Sequence, residues 1–170
     1  LFRKTWPYEA SARVPFIVRA PKSWGYPEEM RCGSPVGLQD VMPTILDAAG
    51  LSVPETCTGR SLLPVMRGEA AGVREVLHGE HSQCYAIDNG NQFLTDGSEK
   101  YIWYTQSGRE QLFDLANDPN ETHDLTRDAD AEDRLAPWRD RMIEVLRGRP
   151  ERFTDGEGLV AGREHGDVLE

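Results

Sequence analysis

The sequence predicts an α/β chain that continues into a small antiparallel β-sheet subdomain packed by a C-terminal helix. Three observations support this fold class. The apolar, β-branched run Val14–Val18 is flanked by prolines and is typical of a strand buried on both faces. An amphipathic helical pattern follows and ends near Gly50. After residue 85, turn signals separate short strands, and a helical stripe then occupies residues 128–147.

The first part of the chain, residues 1–80, has a strand–loop–helix order. The helix is predicted to begin near Asp40, because Pro43 is tolerated only in a first turn. Its apolar face is expected to pack on the sheet that contains Val14–Val18. That face consists of Leu38, Val41, Met42, Ile45, Leu46 and Ala49. Residues 62–66 predict a short helical turn, and Val73–Gly79 a second strand.

The second part, residues 81–148, is predicted to be a meander of three or four antiparallel strands with a closing helix. The strand candidates are Gln92–Thr95, Lys100–Thr105 and Gln111–Leu115. The turn signals that separate them are Asp88-Asn89-Gly90, Asp96-Gly97 and Ser107-Gly108. The aromatic residues Tyr101, Trp103 and Tyr104 could line a cleft or fill the core of the small sheet, and core packing is favoured.

These patterns predict three segments. Residues 1–80 form the edge of a larger α/β domain, residues 81–148 form the small sheet with its helix, and residues 149–170 form a flexible tail. The tail is predicted because glycines and charges dominate it, so it can bury little apolar surface. The chain opens in sequence that looks structured rather than frayed, which suggests a piece of a larger protein.

Composition and charge exclude several classes of partner. The 170 residues carry a formal net charge of −10, which argues against a nucleic-acid backbone or an anionic membrane. No apolar run approaches the roughly 20 residues needed to span a bilayer. The three cysteines, Cys32, Cys57 and Cys84, are widely spaced and predict neither a disulfide framework nor a zinc site.

Lys4 is the first candidate for chemistry. It lies in an aromatic loop that leads to the predicted strand Val14–Val18, and a lysine ammonium there could contact a phosphate or sulfate oxygen. The alternative is an ordinary solvated lysine, which is the more common state of this residue type.

Two histidines flank the end of the second predicted strand. His78 and His81 are three residues apart and cannot share one face of a strand, so a His–Glu–His metal cluster is disfavoured. His81 is preferred as the histidine that points into a cleft, because it is expected to lie past the strand. A surface histidine is the alternative.

Two other groups of residues are given structural interpretations. The run Cys57-Thr58-Gly59-Arg60-Ser61 looks like a nucleophile loop, but no His or Asp orienter lies nearby in sequence, and it is interpreted as a turn. The acidic residues Asp114, Asp118, Glu121 and Asp124 are interpreted as a solvated face.

Four motifs, in order, resemble the type I sulfatase (arylsulfatase) family of the alkaline-phosphatase-like superfamily. Residues 1–18 resemble its G-L-(W/F)-x-K-x-x-x-(Y/F)-E-x-(S/G)-x-R-V-P segment. Residues 35–50 resemble its V-x-L-x-D-(L/I)-x-P-T-(L/I)-L-D-x-A-G helix. Residues 59–64 and 111–122 resemble its G-x-S-L-L-P and E-L-(Y/F)-D-L-x-x-D-P-x-E motifs. The resemblance covers residues 1–147 and implies the C-terminal part of that fold.

The resemblance implies a sulfate-ester hydrolase whose nucleophile is a formylglycine and whose calcium ion neutralises sulfate charge. The family's sulfate-binding lysine matches Lys4, which is therefore expected to be catalytic and substrate-binding. His81 lies in a region that approaches the substrate in several relatives and is a second substrate-binding candidate.

The chain also departs from the family pattern. No C-x-P-x-R motif is present, since Cys57-Thr58-Gly59-Arg60 has glycine in place of proline and its arginine one position early. The Asp pairs of the family's metal site are absent as well. The calcium ligands are thus expected outside this chain, with no metal ligand and no bound cofactor within it. The isolated chain is expected to be inactive and to need the N-terminal part of the same enzyme.

Two alternatives remain open. A phosphodiesterase or phosphonate monoester hydrolase of the same superfamily would share the scaffold. A non-catalytic fragment that associates with its N-terminal partner or with itself would explain exposed strand edges. The substrate expected from the leading interpretation is a sulfated small molecule or saccharide.

Overall fold

The structure is a computed structural model that describes residues 5–27, 29–83 and 86–163. The described residues form two compact units, one built from the described part of 5–14 and 78–163 and the other from that of 15–77. The helices are α1 (Glu9–Ala12), α2 (Val41–Ala48), α3 (Leu63–Met66) and α4 (Ala131–Leu146). The strands are β1 (Leu77–His81), β2 (Asn91–Thr95), β3 (Glu99–Tyr104) and β4 (Glu110–Asp114). Within these residues, none of the helices has the length and hydrophobicity to cross a membrane.

The first unit is built on a four-stranded sheet with strand order β1-β2-β3-β4. β2 and β3 pair antiparallel with Phe93 opposite Ile102, and β3 and β4 pair antiparallel with Ile102 opposite Gln111. At the β2–β3 turn, Gly97 adopts a φ of 91°, which glycine tolerates best. The Asp96 carboxylate accepts the Ser98 and Glu99 amides there. The predicted meander is confirmed, and β1 begins four residues and ends two residues later than the predicted strand Val73–Gly79.

One face of the sheet is covered by α4, as the helical stripe predicts. Leu135, Trp138, Met142 and Leu146 are buried. The Trp138 indole donates to Glu99 at 2.8 Å, and Arg139 pairs with Glu110 at 2.7 Å. Tyr101, Trp103 and Tyr104 are almost fully buried, which confirms core packing as their role.

The segment that follows α4 is packed on the sheet rather than loose. The Phe153 ring is 1% exposed and lies edge-on to Trp103, with ring centroids 5.6 Å apart. The Gly162 amide donates to the Thr105 carbonyl at 2.9 Å. The expectation of a flexible tail is therefore wrong for residues 151–163, because one buried aromatic and backbone hydrogen bonds hold a segment that composition alone describes as polar. Residues 164–170 lie outside the described residues.

The second unit is organised around Asp40, which is fully buried at the start of α2. Its carboxylate pairs with the Arg74 guanidinium and accepts the backbone amides of Gly37 and Arg60, each at 2.8 Å. The Thr44 hydroxyl accepts the Leu62 amide at 3.0 Å. One carboxylate thus connects three segments that are remote in sequence.

The predicted strand Val14–Val18 is wrong. Residues 14–18 are all described, and none of them belongs to a strand. Ile17 is 90% exposed. A strand needs neighbours that complete its backbone hydrogen bonds, and this segment is not part of the β1–β4 sheet.

The helix predicted from Asp40 to Gly50 is confirmed as α2, but the packing expected for it is not seen. Leu38 and Ile45, on its predicted apolar face, are 73% and 61% exposed. Pro43 and Thr44 are its buried residues instead. The contacts around Asp40 hold the helix in place, while no described strand covers its apolar side.

Gly59 lies where a side chain would collide with backbone. A Cβ at this position would come 1.8 Å from the Gln39 carbonyl oxygen. We expect Gly59→Ala to lower the free energy of unfolding by about 1–3 kcal/mol, the usual cost of overpacking. Urea unfolding measures the loss. Gly33→Ala is the matched control, since a Cβ at Gly33 meets nothing within 4 Å. Equal stability of both variants would contradict the close approach.

Asp40 also predicts how this unit responds to acid. Burial alone would raise the pKa of Asp40, but hydrogen bonds from Arg74, Gly37 and Arg60 hold that pKa below its ordinary value of 3.8. Because the folded pKa is the lower one, the contribution is fully present above the unfolded pKa and is lost as pH falls through the folded value. We expect stability to decline below pH 3.8. The free energy of unfolding of an Asp40→Asn variant, measured with urea from pH 2 to 6, should lack this pH-dependent contribution. The same pH dependence in the variant and the parent protein would refute the prediction.

Candidate active-site segment

The face of the sheet opposite α4 binds the N-terminal segment of the chain. We call it the anchor face, and it presents Phe93, Lys100, Ile102, Tyr104, Gln111 and Phe113. These side chains share one side because side chains alternate along each strand and pair across it. Residues 6–9, which follow the candidate Lys4 closely in sequence, contact this face.

Aromatic contacts and a shared amide oxygen hold the segment at Tyr8. The Tyr8 hydroxyl donates to Gln111 Oε1 at 2.9 Å, and the Tyr104 hydroxyl donates to the same oxygen at 2.9 Å. The Tyr8 ring lies edge-on to Phe113, with centroids 5.9 Å apart. Trp6 packs at the same centroid distance from Tyr104. Tyr8 is therefore held both by its hydroxyl group and by its ring.

A buried lysine holds the same segment one residue further along. Lys100 is 1% exposed, and its ammonium contacts Glu9 Oε1 at 2.5 Å and Glu121 Oε1 at 3.1 Å. It also donates to the Pro7 carbonyl oxygen at 3.0 Å. The second Glu121 oxygen accepts the Glu9 amide at 2.5 Å. We call Lys100, Glu9 and Glu121 the lysine clamp.

The lysine clamp was not predicted from the sequence. The interpretation of Glu121 as part of a solvated acidic face is wrong, since the Glu121 side chain is 3% exposed. A signal was present at Lys100, because it shares one face of the predicted strand Lys100–Thr105 with Ile102 and Tyr104, and core packing is favoured for Tyr104. A lysine in that position needs carboxylate partners, because burying an unpaired charge costs a large amount of free energy.

The structure separates the two histidines, as their spacing predicts. His78 lies on the α4 side and bonds Gln92 Oε1 at 2.7 Å, and burial lowers the pKa of its imidazole. His81 shares a face with Gly79, where a Cβ would come 2.2 Å from the Phe93 ring. His81 therefore lies at the edge of the anchor face. It is the last residue of β1, so the expectation that it lies past the strand is wrong.

His81 is partly exposed, and its Nδ1 donates to the Ser82 carbonyl oxygen at 2.6 Å. That hydrogen bond places the proton on Nδ1, and no hydrogen bond to Nε2 is seen among the described residues. Lys4 lies outside the described residues. Thr5, the first residue that the structure describes, is buried.

The remaining candidates show no catalytic arrangement. The turn predicted at residues 57–61 lies earlier in the structure, at residues 54–57, where the Cys57 amide donates to the Pro54 carbonyl at 2.9 Å. Over residues 5–27, 29–83 and 86–163, no group of three or more His, Cys, Asp or Glu side chains could hold a metal ion. The described residues therefore do not fit a calcium site.

Comparison with known proteins connects this segment to a family. The family described as "N-sulphoglucosamine sulphohydrolase, C-terminal" matches residues 1–147, which include Lys4, the lysine clamp and α4. The chain belongs to this family of sulfatase C-terminal domains. The sulfatase resemblance of the four sequence motifs is thereby confirmed. An arylsulfatase of Clostridium perfringens is 36% identical over 162 residues, covering 95% of this chain and 33% of that protein.

Solved structures support the fold class of this sulfatase domain. A 2-O GAG sulfatase superposes with a TM-score of 0.57 at 28% identity, covering 63% of this chain and 24% of that chain. A phosphonate monoester hydrolase from Silicibacter pomeroyi superposes with a TM-score of 0.55 at 23% identity over 75% of this chain and 29% of its own, which is a likeness of fold. The chain thus spans about a third or less of the length of these relatives.

Proposed function

We propose that this chain is the C-terminal part of a sulfatase that hydrolyses sulfate esters. The observation that carries the proposal is the family match over residues 1–147, together with 36% identity to an arylsulfatase. The name of the matching family points to a sulfated amino sugar as one substrate class. A sulfated small molecule or saccharide is therefore the proposed substrate.

Lys4 is proposed to bind a sulfate oxygen. Charge grows on the oxygens around sulfur as the ester bond breaks, and a preorganised cation stabilises that charge more strongly in a dry site than in water. The support from this chain is the anchoring of residues 5–9 through Tyr8 and the lysine clamp. A flexible lysine gains most from such a rigid support, because fewer orientations must be lost on binding.

The formylglycine nucleophile and the calcium ion are proposed to belong to the N-terminal part of the same enzyme. In sulfatases the nucleophile attacks sulfur and the calcium ion neutralises sulfate charge, as the resemblance implies. The described residues of this chain offer no metal cluster, so no step of the reaction is assigned to a metal on them. The isolated chain is expected to give no turnover.

His81 is proposed as a second substrate-binding residue. It lies at the end of β1 on the same side of the sheet as residues 6–9, and we propose that its Nε2, which has no hydrogen bond among the described residues, contacts a hydroxyl or sulfate oxygen. A neutral imidazole accepts a hydrogen bond from a sugar hydroxyl, and the protonated form donates to a sulfate oxygen.

The test is expression of the full-length protein under conditions that generate formylglycine, followed by a screen of aryl sulfates, sulfated amino sugars and phosphonate monoesters. We expect sulfate esters to be the preferred substrates and the isolated chain to be inactive. Turnover by the isolated chain, free of contaminating enzyme, would contradict this division of roles. Preference for a phosphonate monoester would replace the sulfatase by the alternative hydrolase of the same fold.

Exposed apolar side chains favour a second, non-catalytic role for the isolated chain. Ile17, Leu38 and Ile45 are each more than half exposed. In the proposed enzyme the N-terminal part would cover such surfaces, and without it the chain is expected to associate with itself. Size-exclusion chromatography over a range of concentrations tests this, and a stable monomer at all concentrations would exclude self-association.

A further inference from the structure

We infer that Lys100 and Glu121 are positioning residues for the proposed catalytic lysine, because the lysine clamp fixes the backbone of residues 7–9, which closely follow Lys4 in the chain. This inference rests on the proposed role of Lys4 and adds to it the residues that make that role effective. Neither Lys100 nor Glu121 is expected to contact the substrate, because both side chains are almost fully buried.

The contacts of Lys100 show why the clamp acts on this segment. Its ammonium has three partners, and two of them, Glu9 and the Pro7 carbonyl, belong to the N-terminal segment. The third, Glu121, lies beyond β4 and also binds the Glu9 amide. Removing Glu121 therefore releases a backbone contact of the segment as well as an ion pair.

The lysine clamp combines two features that are rare in proteins: a buried lysine and a glutamate with a left-handed backbone. A lysine buried to this degree is unusual and requires charged partners. Glu121 has a φ of 55°, in the left-handed region that non-glycine residues rarely adopt. Backbone strain of this kind persists only where the surroundings enforce it, and it often occurs at functional sites. Here the left-handed residue directs its carboxylate at Lys100 and the Glu9 amide.

The chain connects the clamp to Lys4 by a short path. Only Thr5 and Trp6 separate Lys4 from Pro7, and Thr5 is buried while Trp6 packs on Tyr104. A flexible ammonium must be brought to the sulfate within a few tenths of an ångström to stabilise the transition state well. A displacement of about 1 Å can cost about 100-fold in rate.

The deciding variant is Glu121→Gly in the full-length enzyme. Glycine favours the left-handed backbone at this position, so the substitution relieves strain while it removes the carboxylate. We expect kcat/KM for the sulfate ester to fall by about 10- to 100-fold. Arg152→Gly is the matched control, because Arg152 has a φ of 56° and an exposed side chain. We expect its kcat/KM to stay within about twofold of the parent enzyme, since surface changes of this kind are nearly neutral.

A double-mutant cycle with Lys4→Ala separates positioning from a merely structural role. If Glu121 acts through Lys4, Glu121→Gly should cost little further activity in the Lys4→Ala background. Additive losses would show that the clamp supports the fold generally and would overturn the inference. An unchanged kcat/KM for Glu121→Gly would overturn it too.

Two further outcomes are decisive. If Lys4→Ala alone leaves kcat/KM unchanged, the proposed role of Lys4 is wrong, and so is the positioning role of the lysine clamp. This result differs from additive losses, which would contradict only the positioning role. If Glu121→Gly does not fold, Glu121→Gln takes its place in the same cycle, because it keeps the shape of the side chain and removes its charge. Lys100→Met, which removes the cation, should show the same lack of additivity with Lys4→Ala.

Discussion

Substituting Lys4 by alanine in the full-length enzyme should lower kcat/KM for a sulfate ester by about 100- to 1,000-fold, the range measured for single groups that stabilise developing charge. The reason is that the lysine ammonium is proposed to contact an oxygen whose negative charge grows as the ester bond breaks. Steady-state kinetics on an aryl sulfate measure the effect. Lys22→Ala is the matched control, because Lys22 is an exposed lysine of the same N-terminal region.

The division of the loss between kcat and KM tests the role more closely. A group that acts mainly in the transition state lowers kcat, whereas one that binds substrate and transition state equally raises KM. We expect most of the loss in kcat. Lys4→Arg should recover only part of it, because a guanidinium differs in shape and hydration from an ammonium. Full activity in Lys4→Ala would remove this residue from the mechanism.

Substituting Asp40 by alanine should lower the free energy of unfolding of its unit by about 3–5 kcal/mol, the usual effect of breaking a buried ion pair. The loss is large because the Arg74 side chain is only 9% exposed and would keep its charge without a partner. The Gly37 and Arg60 amides would lose their acceptor as well. Thermal and urea unfolding of the full-length protein measure the change.

Asp47→Ala is the control for this prediction. Asp47 lies in the same helix and accepts a hydrogen bond from the Ser61 hydroxyl at 2.5 Å, but it is only partly buried. We expect it to cost about 1 kcal/mol, as a single hydrogen bond does. Asp40→Asn should lie between the two, because the amide keeps one acceptor and loses the charge. Equal losses in the two alanine variants would show that Asp40 does not organise the unit.

Local patterns in the sequence are enough to predict several elements of this fold. The turn residues of 88–90 and 96–97 and the alternation around Tyr101–Tyr104 predicted β2, β3 and β4, and the stripe of 128–147 predicted α4. These signals are reliable because turn geometry and one-sided burial are set by residues close together in the chain. The resemblance to the sulfatase family likewise depended on motifs of consecutive residues.

Burial and long-range contacts, in contrast, depend on how the whole chain folds. Ile17 is exposed although its segment resembles a buried strand, and Phe153 is buried although its segment resembles a tail. Lys100 is also buried, and its partners Glu9 and Glu121 lie 91 and 21 residues away in sequence. A charged side chain is stable in the interior only when opposite charges reach it, and whether they do depends on how distant segments meet.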